Sequence, residues 1–215
     1  MSSSGTRRRY RSPSRAAQAA STRTAVLTAA RDLFTAEGYA CPVARIAEAA
    51  GVAVDTVYAS VGRKPELIRA VIDMVLADSD DPLPAEQRGY VRRIREAPTA
   101  AAKIRIYADA LAHLLPVVAP LQEALREAGA TDPGCARAWA DLDERRAGNM
   151  LLFAADLRST GQLRDDLHDR HVADVVWSMN SAEYFTVLTR RGWSPERFGA
   201  HLADTWIRLL LEPSD

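Results

Sequence analysis

Cysteine is nearly missing from this sequence. Only Cys41 and Cys135 occur in 215 residues. Two thiols cannot build a disulfide framework or a four-cysteine zinc site, and such sparing use fits a reducing, cytoplasmic setting. Lysine is equally scarce, two of the 28 basic residues, so arginine carries almost all the positive charge. Long apolar runs are missing too. The longest, residues 114–121, holds two prolines, and a membrane span needs ~20 apolar residues. No membrane partner is expected. The N-terminal arginines have no apolar stretch after them, which argues against a secretory signal.

Chemical motifs are also few. No glycine-rich phosphate loop follows a strand, and no Ser or Cys sits in a nucleophile motif. Asp141, Asp143 and Glu144 read as a solvated helix face, not an acid/base pair. His168 and His171, near Asp165, Asp166 and Asp169, have a spacing that can bind a metal. At a helix start the same residues serve as caps and solvated charges, and that reading is preferred. The expectation is therefore no enzyme, no cofactor and no metal.

What is present is an ordinary globular balance, 47% apolar and 26% charged. The zero net charge hides an asymmetry. Residues 1–70 carry eleven basic and five acidic side chains, and residues 71–215 carry seventeen and 23. The basic half suits a polyanion and the acidic half does not. Residues 1–20, rich in Ser and Arg, read as a disordered basic arm. A helix is expected over 21–37, capped by Ser21 or Thr22 and ended by Gly38. Short helices follow at 42–50 and 53–60, and a fourth starts near Pro65. The acidic, proline-broken stretch 78–84 reads as a linker. Beyond it, helices are expected at 86–95, 99–115, 120–128, 133–160, 169–190 and 195–211. No window alternates as a strand would. The fold class is all-α, with about ten helices. The expected units are the arm 1–20, a small helical domain with its connecting helix over 21–77, and a larger helical domain over 78–215.

Residues 43–61 give two short helices meeting at a turn through Gly51. That geometry sends the second helix into a major groove while the first braces it. Ala47, Val52 and Val57 would pack the pair together. Val54, Asp55, Thr56, Tyr58 and Ala59 are left as candidates for the exposed side. Tyr58 and Thr56 carry hydroxyls for phosphate, and Thr56 can also meet a thymine methyl. Val54 and Ala59 offer apolar contact, and Asp55 can accept from a cytosine amino group. Arg63 and Lys64 open the next helix, where free amides, the helix dipole and two cations make a phosphate site. Arg45 adds a cation on the bracing helix.

The segments AARDLFTAEGY at 29–39, IAEAAGV at 46–52, TVY at 56–58 and GRKPELIRAVID at 62–73 resemble the DNA-binding domain of the TetR family of bacterial repressors. The resemblance implies phosphate contacts from Tyr58 and Lys64, a recognition-helix contact from Thr56, and a contact from Arg45. Three positions depart from the family pattern. Cys41-Pro42 stands where a Thr-Thr or Thr-Ser pair caps the second helix. Ala53 replaces the Ser or Thr that begins the recognition helix. Ser60 and Val61 replace an aromatic pair. Segments 161–167 and 191–198 are similar to tails of actinobacterial members.

The resemblance further implies a homodimer on double-stranded, palindromic DNA, released by an unknown small organic ligand. Val175, Met179, Tyr184, Phe198, Leu202, Trp206 and Leu209 are expected in the dimer interface, on the last two helices. Tyr107, Leu111, His113, Leu114, Trp139, Met150, Phe153, Trp177 and Asn180 are expected to line a ligand pocket. No net basic or acidic cluster pointing inward is legible, so an uncharged or weakly polar effector is expected. Two other readings stay open: a helical small-molecule-binding protein, and an activator-type regulator with weak or partner-dependent DNA binding.

Overall fold

A computed structural model describes residues 13–79 and 82–213. Among them are ten α-helices and no strand beyond an isolated bridge between Leu163 and Leu211. Helix α1 runs Pro13–Glu37. It starts eight residues before the expected Ser21, so residues 13–20 are helical and not part of a disordered arm. The alanine-rich stretch before Ser21 has high helix propensity and needs no cap there. The rest of the arm, residues 1–12, lies outside the described residues. Val26, Leu27, Ala30 and Phe34 form the buried face of α1. Gly38, at φ 71°, ends it.

Helices α2 (Val43–Ala49) and α3 (Val54–Val61) follow. The turn between them depends on Gly51 at φ 67°, a backbone state costly for a residue with a Cβ. Across it the Val52 amide bonds to the Ala47 carbonyl at 2.9 Å. Pro42 and Ala53 precede the two helices, and neither supplies a side-chain cap. Helix α4 (Lys64–Ala77) buries Leu67, Ile68, Val71, Ile72, Met74 and Ala77.

The second half contains α5 (Gly89–Glu96), α6 (Ala100–Ala128), α7 (Pro133–Arg158), α8 (Asp169–Met179), α9 (Ala182–Thr189) and α10 (Pro195–Leu210). Two expectations fail here. The helices expected at 99–115 and 120–128 are one helix, α6, with Pro116 and Pro120 inside it. An interior proline costs about 3 kcal/mol. Both prolines lie on the outer side, Pro116 exposed and Pro120 half-buried. The flanking Leu114, Leu115, Val118, Ala119 and Leu121 are buried and hold the helix straight through. The expected helix 169–190 is instead two. Chain direction changes at Asn180-Ser181, where the Ser181 hydroxyl accepts the Tyr184 amide at 3.1 Å and caps α9.

By length and composition α6 could cross a membrane, the one such helix among the described residues. More than half of its apolar window is buried inside the protein, as befits a core helix. It runs through both cores. One core joins α1–α4 to Ala110, Leu114, Val118, Leu121 and Leu125 of α6, and to Cys135, Ala138 and Leu142 of α7. The other gathers the remaining inner face of α6 with α5 and α7–α10.

Candidate nucleic-acid interface and internal cavity

The apolar spacing of α3 buries Val57 and turns Asp55, Tyr58 and Ala59 outward, with Tyr58 44% exposed. Thr56 is half-buried beside them. Val54 departs from expectation. It packs against the N-terminal core and is not free on the outer face. Arg23 of α1 donates to the Ser60 carbonyl at 2.6 Å. A cation on the last turn of α3 suits the helix dipole and fixes the helix from behind. Nothing in the sequence marked Arg23, because its partner is a backbone atom 37 residues away.

Cations flank α3. Arg45 is exposed and reaches Glu37 at 2.5 Å. A phosphate would have to exchange with that carboxylate. Arg63 is exposed at the N-cap of α4. Lys64 is half-buried, its Nζ 4.5 Å from the centre of the Tyr39 ring. Burial pulls the Lys64 ammonium below its ordinary pKa. The same ring leads to the other half of the molecule. The Tyr39 hydroxyl donates to Asp132 at 3.4 Å, and Asp132 caps α7 through the Gly134 and Cys135 amides. A Cβ added to Gly134 would stand 3.0 Å from Pro65 Cγ. The start of α7 thus abuts the start of α4.

A cavity of about 1020 Å³ opens between α4, α5, α6 and α7. Six of the nine expected residues line it: Tyr107, Leu111, Leu114, Met150, Phe153 and Asn180. Three do not. His113 follows Leu111 by two residues, which turns it to the outer side of α6. It is exposed there, 3.7 Å from Asp78. Trp139 packs against the N-terminal core. Trp177 lies behind the wall with Arg146 stacked on its ring at 4.5 Å.

Polar groups meet at one end. Asn180 donates to the Tyr107 hydroxyl at 2.8 Å. Arg146 donates to the Asn180 side-chain oxygen at 2.5 Å and the Trp177 carbonyl at 2.6 Å. Burial holds the Tyr107 phenol well above its usual pKa, so it stays protonated. The break between α8 and α9 is what turns Asn180 into this cluster. Arg88, Arg95, Arg145 and Arg146 also line the cavity, as do Asp73, Glu86 and Asp156. The wall is therefore charged, with four guanidiniums against three carboxylates. In the sequence Arg88 is indistinguishable from its neighbours Arg92, Arg93 and Arg95.

The expected dimer residues divide. Phe198, Leu202 and Trp206 are fully buried within the chain and belong to its own core. Their stripe packs α10 on α6, where a Cβ on Gly199 would come 2.9 Å from Ala112 Cβ. Val175, Met179 and Tyr184 are half-buried, and Leu209 is exposed. Among the described residues no three His, Cys, Asp or Glu side chains gather as metal ligands would.

Comparison with known proteins follows the same division. Residues 26–71 match the sequence model of the bacterial regulatory proteins of the tetR family. No curated protein is similar enough to match. Solved structures match over nearly the whole chain. NalD of Pseudomonas aeruginosa, the secondary repressor of the MexAB-OprM multidrug efflux pump, is 19% identical with a TM-score of 0.68, covering 91% of this chain and all of its own (100%). A putative transcriptional regulator from Saccharomonospora viridis in complex with choline is 16% identical, TM-score 0.67, covering 89% and 98%. The regulator FadR from Bacillus subtilis in complex with stearoyl-CoA is 15% identical, TM-score 0.67, covering 85% and 96%. At these identities the structures establish the shared fold. The N-terminal domain, with its exposed α3 and the cations beside it, is a domain of the tetR family of bacterial regulatory proteins, and the chain as a whole shares the fold of these solved regulators.

Proposed function

We propose that this regulator is a repressor that binds a palindromic operator as a homodimer and leaves it when a small organic ligand fills the cavity. One observation carries the reading. Helix α4 begins with Lys64 at the candidate DNA face and lines the cavity with Asp73 and Leu76. Its 14 residues span about 21 Å. A change in the cavity that shifts α4 therefore shifts α3 and its flanking cations. The ligand acts by binding better to the arrangement whose two recognition helices no longer match one helical turn of DNA. Choline and stearoyl-CoA in the related structures support a cavity of this kind as a ligand site.

Asp55, Thr56 and Ala59 would meet base edges, and Tyr58, Arg45, Arg63 and Lys64 would meet phosphates. Val54 would act from behind, by seating α3. A second copy of the chain would cover the half-buried Val175, Met179 and Tyr184 together with Leu209. The domain division at 78–84 and the cytoplasmic setting belong to the same proposal.

The test is a gel shift of the purified protein on its own upstream DNA over a salt series, with excess competitor. Selective, dimeric binding is expected. Tyr58→Phe with Lys64→Ala should weaken binding to all sequences and flatten the salt slope. An unchanged slope would remove both residues from the phosphate contacts.

A further inference from the structure

We infer that the cavity takes an amphipathic organic anion, a carboxylate on an apolar body, whose charged group displaces Asp73 from Arg88 and Arg145. The inference deepens the effector-site reading above and rests on it.

Arg88 is the starting point. Its side chain is only 9% exposed and lines the cavity. A guanidinium offers five N–H donors. Here Nε donates one long bond, 3.4 Å, to the Leu83 carbonyl. Among the described residues its anionic partner is Asp73 Oδ1, at 3.9 Å from Nη2 and beyond hydrogen-bond reach. A buried cation so thinly served is costly and favours an anion that can approach it. Asp73 lies closer to Arg145, which holds it at 3.1 Å. One carboxylate is thus divided between two guanidiniums.

The remaining charges of the wall are matched. Arg146 has Asp143 at 2.9 Å, and Asp156 has Lys103 at 2.9 Å. Arg95 and Glu86 are exposed and opposite in sign. One positive charge is left over, and it sits at Arg88. The rest of the lining suits an apolar body. Tyr107 stacks with Tyr90 at 6.2 Å and meets Phe153 at 5.0 Å. A neutral ligand would leave Arg88 as it is, and a cation would be repelled by it. A carboxylate can take two parallel bonds from one guanidinium.

The displacement also carries the signal. Asp73 is on α4, and Arg145 ties it to α7. An anion that engages both arginines frees the carboxylate, and α4 loses that tie at the end remote from Lys64. Differential affinity for the untied state is what shifts the population.

The experiment uses the full chain. Calorimetric titrations compare octanoate, decanoate and naphthoate with octanol, decanol and naphthol, alongside release of labelled operator DNA. The acids should bind about tenfold or more tighter than the matching alcohols, and only the acids should release DNA. Arg88→Met should erase the preference and Arg88→Lys should keep part of it. Arg145→Gln, a change at a half-exposed side chain, should lower the preference without touching the core. Equal affinity of acids and alcohols, no binding of the acids, or a preference intact in both Arg88→Met and Arg145→Gln would overturn the inference. The DNA arm separates the two readings. A ligand-free protein that ignores every operator refutes the regulator proposal. A protein that binds operator yet prefers the alcohols refutes this inference alone.

Discussion

Lys103 sits almost wholly inside the protein, 4% exposed, and its ammonium donates to the Ile94 and Arg95 carbonyls and to Asp156. It closes the last turn of α5 and neutralises a carboxylate on the cavity wall. Removing it leaves Asp156 without its partner, and breaking a buried pair from one side typically costs 3–5 kcal/mol. Lys103→Ala should therefore lose about 3 kcal/mol of stability, measured by urea unfolding; a loss below about 1 kcal/mol would contradict the pairing. The two thiols give a second check at this scale. Burial pushes both Cys41 and Cys135 above the ordinary thiol pKa, and only thiolate reacts. Both should resist a disulfide reagent at neutral pH in the folded protein and react fully in denaturant. Rapid native labelling would show that one of them is open to solvent.

At the scale of the element, what the sequence discloses is local. Asp132-Pro133 and Ser194-Pro195 announce the starts of α7 and α10, because cap and proline act within one turn. Gly38 and Gly51 announce their turns for the same reason. The boundary of α1 was misplaced because a run of alanines needs no cap. The continuity of α6 was illegible because it comes from two cores that flank Pro116 and Pro120, not from the helix itself. The break at Asn180 was illegible for a similar reason: its side chain serves Tyr107 and Arg146, far away in sequence. On α3, by contrast, the apolar spacing is enough to tell exposed Tyr58 from buried Val57. The stripe of Phe198, Leu202 and Trp206 is legible as apolar in the sequence, but α6 of the same chain covers it. Periodicity shows that a face must be covered, not what covers it. The contact of α10 with α6 has its own test. Gly199→Ala would force Ala112 or the Ala108 carbonyl aside, costing about 1–3 kcal/mol. A melting temperature at or above that of the parent would mean the helices have room to spare.

The whole molecule divides its work between two ends. The N-terminal end carries the basic surface and an exposed α3. The far end carries the cavity and the outer faces of α8–α10. Val187 on α9 is 59% exposed and Leu209 on α10 is 41% exposed, large apolar side chains on a face proposed to meet a second copy. Val187→Glu with Leu209→Glu should convert a dimer to a monomer in light scattering and lower affinity for a two-half-site operator much more than for a single half-site. A variant that stays dimeric would place the interface elsewhere. Between the ends, α4 and α7 pack together, with Pro65 against Gly134 near the candidate DNA face and Asp73 on Arg145 beside the cavity. This contact is the physical route for the proposed coupling between the ends.

Everything proposed for this chain rests on sequence-selective DNA binding through α3 and its flanking cations. The most direct measurement is the affinity of the purified protein for its own upstream region over a salt series, with competitor DNA, beside the Tyr58→Phe, Lys64→Ala variant. Selective binding as a dimer is expected, with the variant weaker on every sequence and its salt slope reduced. Binding that is weak, non-selective and erased by physiological salt would contradict it.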